Sequence, residues 1–187
     1  MEVKKAIKTR RSIRKYKPTP VDEKTLELVL EAARWAPSWK NTQCWRFIVV
    51  RDEGIRAKLA DAVISVRDKP NRAADAVRQA PVVIVACAML RRSGYSRDGQ
   101  PDTDKGDWYM FDVALAMQNL VLAAHSLGLG TVHIGFFDAK KVEAILEVPQ
   151  GFCVVEMTPL GYPDESPEII KRKELPEIVF YNKFGNR

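Results

Sequence analysis

Histidine is nearly missing from this chain: His125 and His133 are the two among 187 residues. With no carboxylate cluster beside either, they argue against a metal enzyme. Cysteine is sparse and odd in number. Cys44, Cys87 and Cys153 lie far apart, without CxxC spacing and each in an apolar segment. That argues against a disulfide framework or a zinc site and predicts three small buried thiols. No apolar run approaches the ~18 residues needed to cross a bilayer. The opening Met1-Glu2-Val3-Lys4-Lys5 has no apolar signal core, so the cytoplasm is the expected compartment. Repeats, low-complexity tracts and linkers are absent too, which leaves a single domain over residues 1–187. Nor is there a long basic block: 30 Lys and Arg are interleaved with 24 Asp and Glu, so the net charge of +6 does not point to nucleic acid.

What is present begins with Thr9-Arg10-Arg11-Ser12-Ile13-Arg14-Lys15-Tyr16, three arginines and a hydroxyl within five residues. Guanidinium forks match phosphate oxygens, and such a cluster suits one compact dianion better than a polymer. Seen alone, it also reads as a solvated basic turn. A short helix over Met1–Lys8 leads into it. Lys17-Pro18-Thr19-Pro20 then breaks the chain. Asp22 caps a helix from Thr25 to about Trp35, with Leu26, Val29, Leu30 and Ala33 as its buried stripe.

Ala36 to Gln43 is a loop of amide and hydroxyl side chains that feeds the strand Cys44–Val50. It reads equally as a ligand-site loop and as a capping connection. Helices are expected over Glu53–Val66 and Arg72–Gln79, separated by Asp68-Lys69-Pro70-Asn71. Pro81–Ala88 is a continuous apolar strand with both faces covered. Arg91–Gly106 reads as an exposed, mobile loop beside a site. Asp107–Leu127 is so apolar that it is either the central helix or half of a subunit interface. A strand over Thr131–Phe137, a helix from Asp138 through Leu146 and a strand over Phe152–Tyr162 follow. Asp164–Pro167 is a turn. Lys171-Arg172-Lys173 forms a second basic cluster. The β-prone tail Ile178–Tyr181 is too apolar to be left in water. The residues alone thus give one α+β domain with a mixed sheet of about four strands.

In order and spacing, several segments together resemble the flavin-dependent nitroreductase family. They are Arg10-Arg11-Ser12-Ile13-Arg14 with Tyr16, Glu31 to Ser38, and Asn41, Gln43, Trp45, Phe47 and Val49-Val50. Ser126 to Thr131, Ile134-Gly135, Phe137-Asp138, Leu160 to Pro163, Arg172-Lys173, Ile178-Val179 and Tyr181-Asn182 complete the match. The resemblance implies a mainly antiparallel central sheet flanked by helices, and a C-terminal extension reaching the partner subunit. It implies a homodimer with FMN in clefts at the subunit interface, NAD(P)H as reductant and a small-molecule acceptor. Arg10, Ser12 and Arg14 would hold the phosphate and ribityl end, with Arg11 beside them and Arg172 and Lys173 approaching from the far end of the chain. Pro37, Ser38, Asn41 and Gln43 of the second subunit would border the ring, and Asn71 would stand near it. His133, Ile134 and Gly135 would supply contacts at its reactive edge. The chemistry then sits on flavin N5, in a ping-pong cycle reducing nitroaromatics, quinones or related acceptors, and no catalytic side chain is expected. Same-scaffold alternatives are reductive dehalogenation, dehydrogenation, flavin fragmentation and a non-catalytic flavin-binding module. Cys44 replaces the family's usual proline, His133 stands where an aromatic or proline is common, and Arg91–Gly106 matches nothing.

Overall fold

The structure, a computed structural model, describes residues 1–66 and 70–186. Asp68 and Lys69 of the expected break lie outside those residues. Strand β2 (Val82–Met89) is central. Its odd residues Val83, Val85 and Cys87 enter one core, and its even residues Val82, Ile84, Ala86 and Ala88 enter another. A strand covered on both faces has no polar positions, which is why its sequence does not alternate. β1 (Trp45–Val50) flanks it on one side and β4 (Phe152–Gly161) on the other. β3 (Gly130–Thr131) lies beyond β4, giving the order β1-β2-β4-β3. The strand pairs are antiparallel. The parallel component of the expected mixed sheet is the single bridge Ser12–Thr131.

Helices α2 (Glu23–Arg34) and α5 (Tyr109–Ser126) cover one face of the sheet. Helices α3 (Glu53–Ala60), α4 (Arg72–Gln79) and α6 (Ala139–Ile145) cover the other. α1 (Val3–Thr9) is tied to α5 where Thr9 Oγ1 lies 2.8 Å from His125 Nε2.

Several boundaries correct the sequence reading. α3 stops at Ala60 instead of Val66, because Val63 leaves the helix to bridge Phe137 and Ile64 N donates to Phe136 O at 3.1 Å. The strand expected over Thr131–Phe137 is interrupted. Ile134 meets Met157 in the same register that pairs Thr131 with Leu160, while the two residues between make no ladder contact. The 91–106 loop is not exposed throughout, for Ser93 is fully buried. Cys153 is half-buried, unlike Cys44 and Cys87. α5 is not covered all round: Met110 and Phe111 are 57% and 55% exposed. Ile178, expected in a β-prone tail, ends a short helix, α7 (Leu175–Ile178), whose N-terminus carries a Glu174–Glu177 capping box. The tail's apolar side chains Ile178, Tyr181 and Phe184 are exposed in the single chain.

One close approach fixes the geometry of the site described next. A Cβ placed on Gly161 would lie 2.6 Å from Pro81 Cδ and 3.2 Å from Tyr16 Cδ1. Gly161→Ala is therefore expected to cost about 1–3 kcal/mol by overpacking, seen as a lower urea midpoint at unchanged slope.

Candidate functional site

The basic segment is pinned, not solvated. Ile13 N donates to Thr131 O at 2.9 Å, Lys17 N to Tyr162 O at 2.9 Å, and Asp164 N to Lys15 O at 3.0 Å. Between these anchors Tyr16 is buried, its hydroxyl donating to Ile13 O at 2.6 Å. Burial, reinforced by Glu165, pushes that phenol well above its ordinary range, so it stays a neutral donor. Alternate residues then face outward. Arg10, Arg11, Ser12 and Arg14 line a cavity of about 410 Å3.

Arg172 lines the same cavity, although more than 150 residues of sequence separate it from Arg10. The Arg10 guanidinium is held below its ordinary pKa, first by burial, then by Arg11 and Arg172. A buried cation with like charges beside it at a void has the electrostatics of an anion site. Arg11 differs from its neighbours: its guanidinium turns back to the carbonyls of Lys8 and Arg10 at 2.8 and 2.7 Å. Lys173 is exposed and is not among the residues lining this cavity.

Arg14 also lines a second cavity of about 490 Å3, with Asn71, His133, Ile134 and Gly135 in its wall. Both polar backbone atoms of Ile134 are taken by Met157, with each hydrogen bond at 3.0 Å. Gly135 N–H has no backbone acceptor among the described residues, and a Cβ there would meet nothing within 4 Å. Gly135 thus leaves both a donor and room at the wall. Asn71 is largely occupied, capping α4 through Ala74 N at 3.2 Å and donating to Val63 O at 3.1 Å. His133 Nδ1 lies 2.9 Å from Glu156 Oε1, so a carboxylate orients the imidazole.

Pro37, Ser38, Asn41 and Gln43 line neither of these cavities. Their loop is strained: Lys40, Asn41 and Gln43 have φ of 44°, 55° and 47° without being glycine. What holds it is Asp112, a buried carboxylate the sequence reading passed over. Asp112 accepts from Trp39 N at 3.0 Å, Ser93 Oγ at 2.7 Å and Thr42 Oγ1 at 3.4 Å. Cys44, in the usual proline's place, points Sγ at the same carboxylate from 3.7 Å. Burial, then Asp112, pushes that thiol up to about 12, so it is not a nucleophile. The signal that finds Asp112 in the sequence is an acid alone inside an apolar helix.

Known proteins share this fold. A model described as "Nitroreductase family" matches residues 7–162. A Methanothermobacter thermautotrophicus chain whose name couples NADH dehydrogenase with NAD(P)H nitroreductase is 37% identical over 171 residues, 89% of this chain and 80% of its own. The crystal structure of a nitroreductase family protein from Clostridium novyi superposes with a TM-score of 0.79 at 34% identity, covering 100% of this chain and 96% of that one. NADPH:FMN oxidoreductase from Vibrio harveyi, solved with NAD+, superposes with a TM-score of 0.82 at 27% identity, covering 99% and 79%. Other similar chains bear different names. Iodotyrosine deiodinase of Thermotoga neapolitana is 28% identical over 95% of this chain and 96% of its own. The 5,6-dimethylbenzimidazole synthase of Rhodospirillum rubrum is 29% identical over 89% and 84%.

Proposed function

The chain belongs to the nitroreductase family, and from that premise we propose that it is an FMN-dependent NAD(P)H oxidoreductase working as a homodimer on nitroaromatic, quinone or related acceptors. The observation that carries this reading is the meeting of Arg10, Ser12, Arg14 and Arg172 around one cavity, with Arg14 shared by a second cavity that ends at Gly135. The donor set fits FMN: guanidinium forks and a hydroxyl for a dianionic phosphate, then an open glycine wall for a flat ring. When bound, FMN supplies a ring that accepts hydride from NAD(P)H and passes electrons to the acceptor.

The chain's own residues bind and orient. Arg10, Ser12, Arg14 and Arg172 hold the phosphate and ribityl end. Arg11 supports the turn, and Lys173 adds positive potential at the entrance. The Gly135 N–H donates to the ring edge, while Ile134, fully bonded to Met157, holds that donor in place. Asn71 borders the ring with what remains of its amide. His133, oriented by Glu156, keeps its imidazole at the cavity wall.

The second subunit completes the slot with Pro37, Ser38, Asn41 and Gln43. Support for a dimer comes from the apolar side chains Met110, Phe111, Ile178, Tyr181 and Phe184 left exposed in one chain. The C-terminal segment beyond Arg172 then reaches across to the partner. Cytoplasmic residence fits a chain in which, among the described residues, no helix is long and apolar enough to cross a membrane.

The purified protein is expected to be yellow, with an oxidised-flavin absorption that NADH or NADPH bleaches under anaerobic conditions. A colourless protein that refuses added FMN overturns the reading. Flavin that no nicotinamide bleaches, on a protein that still turns over a halogenated or flavin substrate, would instead favour the chemistry named in the deiodinase or benzimidazole synthase relatives.

A further inference from the structure

Between the amide-rich loop and the 91–106 loop lies a third cavity, of about 420 Å3. Lys40, Arg91, Arg92 and Arg97 stand in its wall, and among the described residues no carboxylate does. The nearby acids already have partners, Asp104 pairing with Lys105 Nζ at 3.4 Å. Asp102 holds Lys40 Nζ at 2.7 Å and accepts from Trp39 Nε1 at 3.1 Å. Asp107 accepts from Arg91 N at 2.7 Å and Tyr109 N at 3.1 Å. Asp98 takes the Ser96 hydroxyl and Gln100 N. Among the described residues, no ion pair involves Arg91, Arg92 or Arg97. Three exposed arginines around one void, with no carboxylate among the described residues of its wall, suit an anion of high charge density; of the three, Arg91 also donates to Gly99 O at 3.2 Å.

The two loops behind the cavity are tied to one another. Asp112 ties Trp39 of one loop to Ser93 of the other, and the Trp39 and Trp108 rings stack with centroids 5.1 Å apart. Arg91 sits in the left-handed region with its guanidinium 5.6 Å over the Tyr95 ring. A backbone tied in this way lowers the ordering cost of binding. The cavity is within the size range of small-molecule sites, roughly 300–1,000 Å3, and Tyr95 offers a flat face to a purine.

We infer that this cavity receives a phosphate group of the nicotinamide dinucleotide, holding the adenine half of the reductant while its nicotinamide reaches the flavin bordered by the adjoining Asn41 loop. The inference rests on the proposed function and deepens it. A nicotinamide dinucleotide always carries a pyrophosphate, and NADPH adds a 2′-phosphate monoester. Either presents the multivalent oxygens these forks match.

The test is calorimetric titration of the flavin-loaded protein with NADP+ and with NAD+, comparing the native chain with Arg92→Ala/Arg97→Ala. Both side chains are on exposed residues outside the packed cores, and flavin content checks that the fold and its cofactor survive. The Kd for NADP+ is expected to rise about tenfold or more, the equivalent of at least ~1.4 kcal/mol, and the effect should shrink as salt is raised. A rise confined to NADP+ assigns the cavity to the 2′-phosphate. A parallel rise for NAD+ assigns it to the pyrophosphate. Unchanged Kd values on a protein whose flavin is still bleached by NAD(P)H overturn this inference and leave the proposed function standing. A protein that holds no flavin and binds neither dinucleotide overturns both.

Discussion

Arg10→Ala is expected to give a folded, colourless protein. Arg10 belongs to the cavity that also contains Ser12, Arg14 and Arg172. A charge-assisted hydrogen bond is worth about 1.5–3 kcal/mol, so losing this fork raises the FMN Kd by roughly 10- to 100-fold. The apo fold does not suffer, for a reason the electrostatics supply. Burial and the neighbouring Arg11 and Arg172 hold the Arg10 pKa below its unfolded value. A base with a depressed folded-state pKa is charged at a cost to the fold at every pH below that pKa. Removing it relieves repulsion in the apo chain. The ratio of flavin to protein absorbance after gel filtration reads the first effect, and thermal unfolding of the apo protein reads the second.

Arg11→Ala is the informative contrast. Its guanidinium is turned to the carbonyls of Lys8 and Arg10 at the end of α1. Its loss should therefore alter the turn more than the cofactor affinity. Full flavin retention by the Arg10 variant, or equal loss from both variants, would mean that the cavity is not where the phosphate sits.

The sequence carried much of this architecture, and the misreadings share a cause. β2 was legible because a strand with two covered faces must be apolar at every position. α2 was legible because Asp22 caps it where the apolar spacing starts, and α4 because a break precedes it, though only the structure shows Asn71 of that break as its cap. Val63 and Val66 continued the helical spacing of α3, yet the pairing of Val63 with Phe137 ended that helix at Ala60. Partners from distant sequence decide such cases, and spacing along one segment does not contain them. The same holds for the site. The clustering of Arg10, Ser12 and Arg14 is local and was readable. Their meeting with Arg172 depends on the turn after β4, where Glu165 takes Arg14 N and Arg72, and Glu165 had no visible partner in the sequence. His133 stood out as unusual, but only the fold supplies Glu156 beside it.

Asp112→Ala is expected to be the most destabilising single change near the site. The carboxylate is 1% exposed and takes hydrogen bonds from Trp39 N, Ser93 Oγ and Thr42 Oγ1. Truncation leaves these donors beside a small buried void. An unmet buried donor such as the Ser93 hydroxyl costs about 1–3 kcal/mol, the half-buried Trp39 and Thr42 donors lose less, and the void left by the carboxylate adds to the cost. A net loss of roughly 3–5 kcal/mol is expected, a large share of an ordinary domain's stability. The loss should also be local. Lys40, Asn41 and Gln43 keep left-handed backbone conformations only while their surroundings impose them. With Asp112 gone, protease cleavage in residues 38–43 should accelerate before global unfolding does.

Asp112→Asn separates shape from charge. Its amide oxygen can still accept from Trp39 N, and the Ser93 hydroxyl can rotate to accept from its NH2 group. That variant should lose less than half as much in urea denaturation. It should also keep the loop resistant to protease, yet shift the visible band of bound flavin if the loop borders the ring as proposed, because that loop has lost the charge behind it. Equal stability for the alanine variant and the native chain would show that Asp112 does not hold this loop. The division of the site between two subunits would then have to be argued without a preformed loop on either of them.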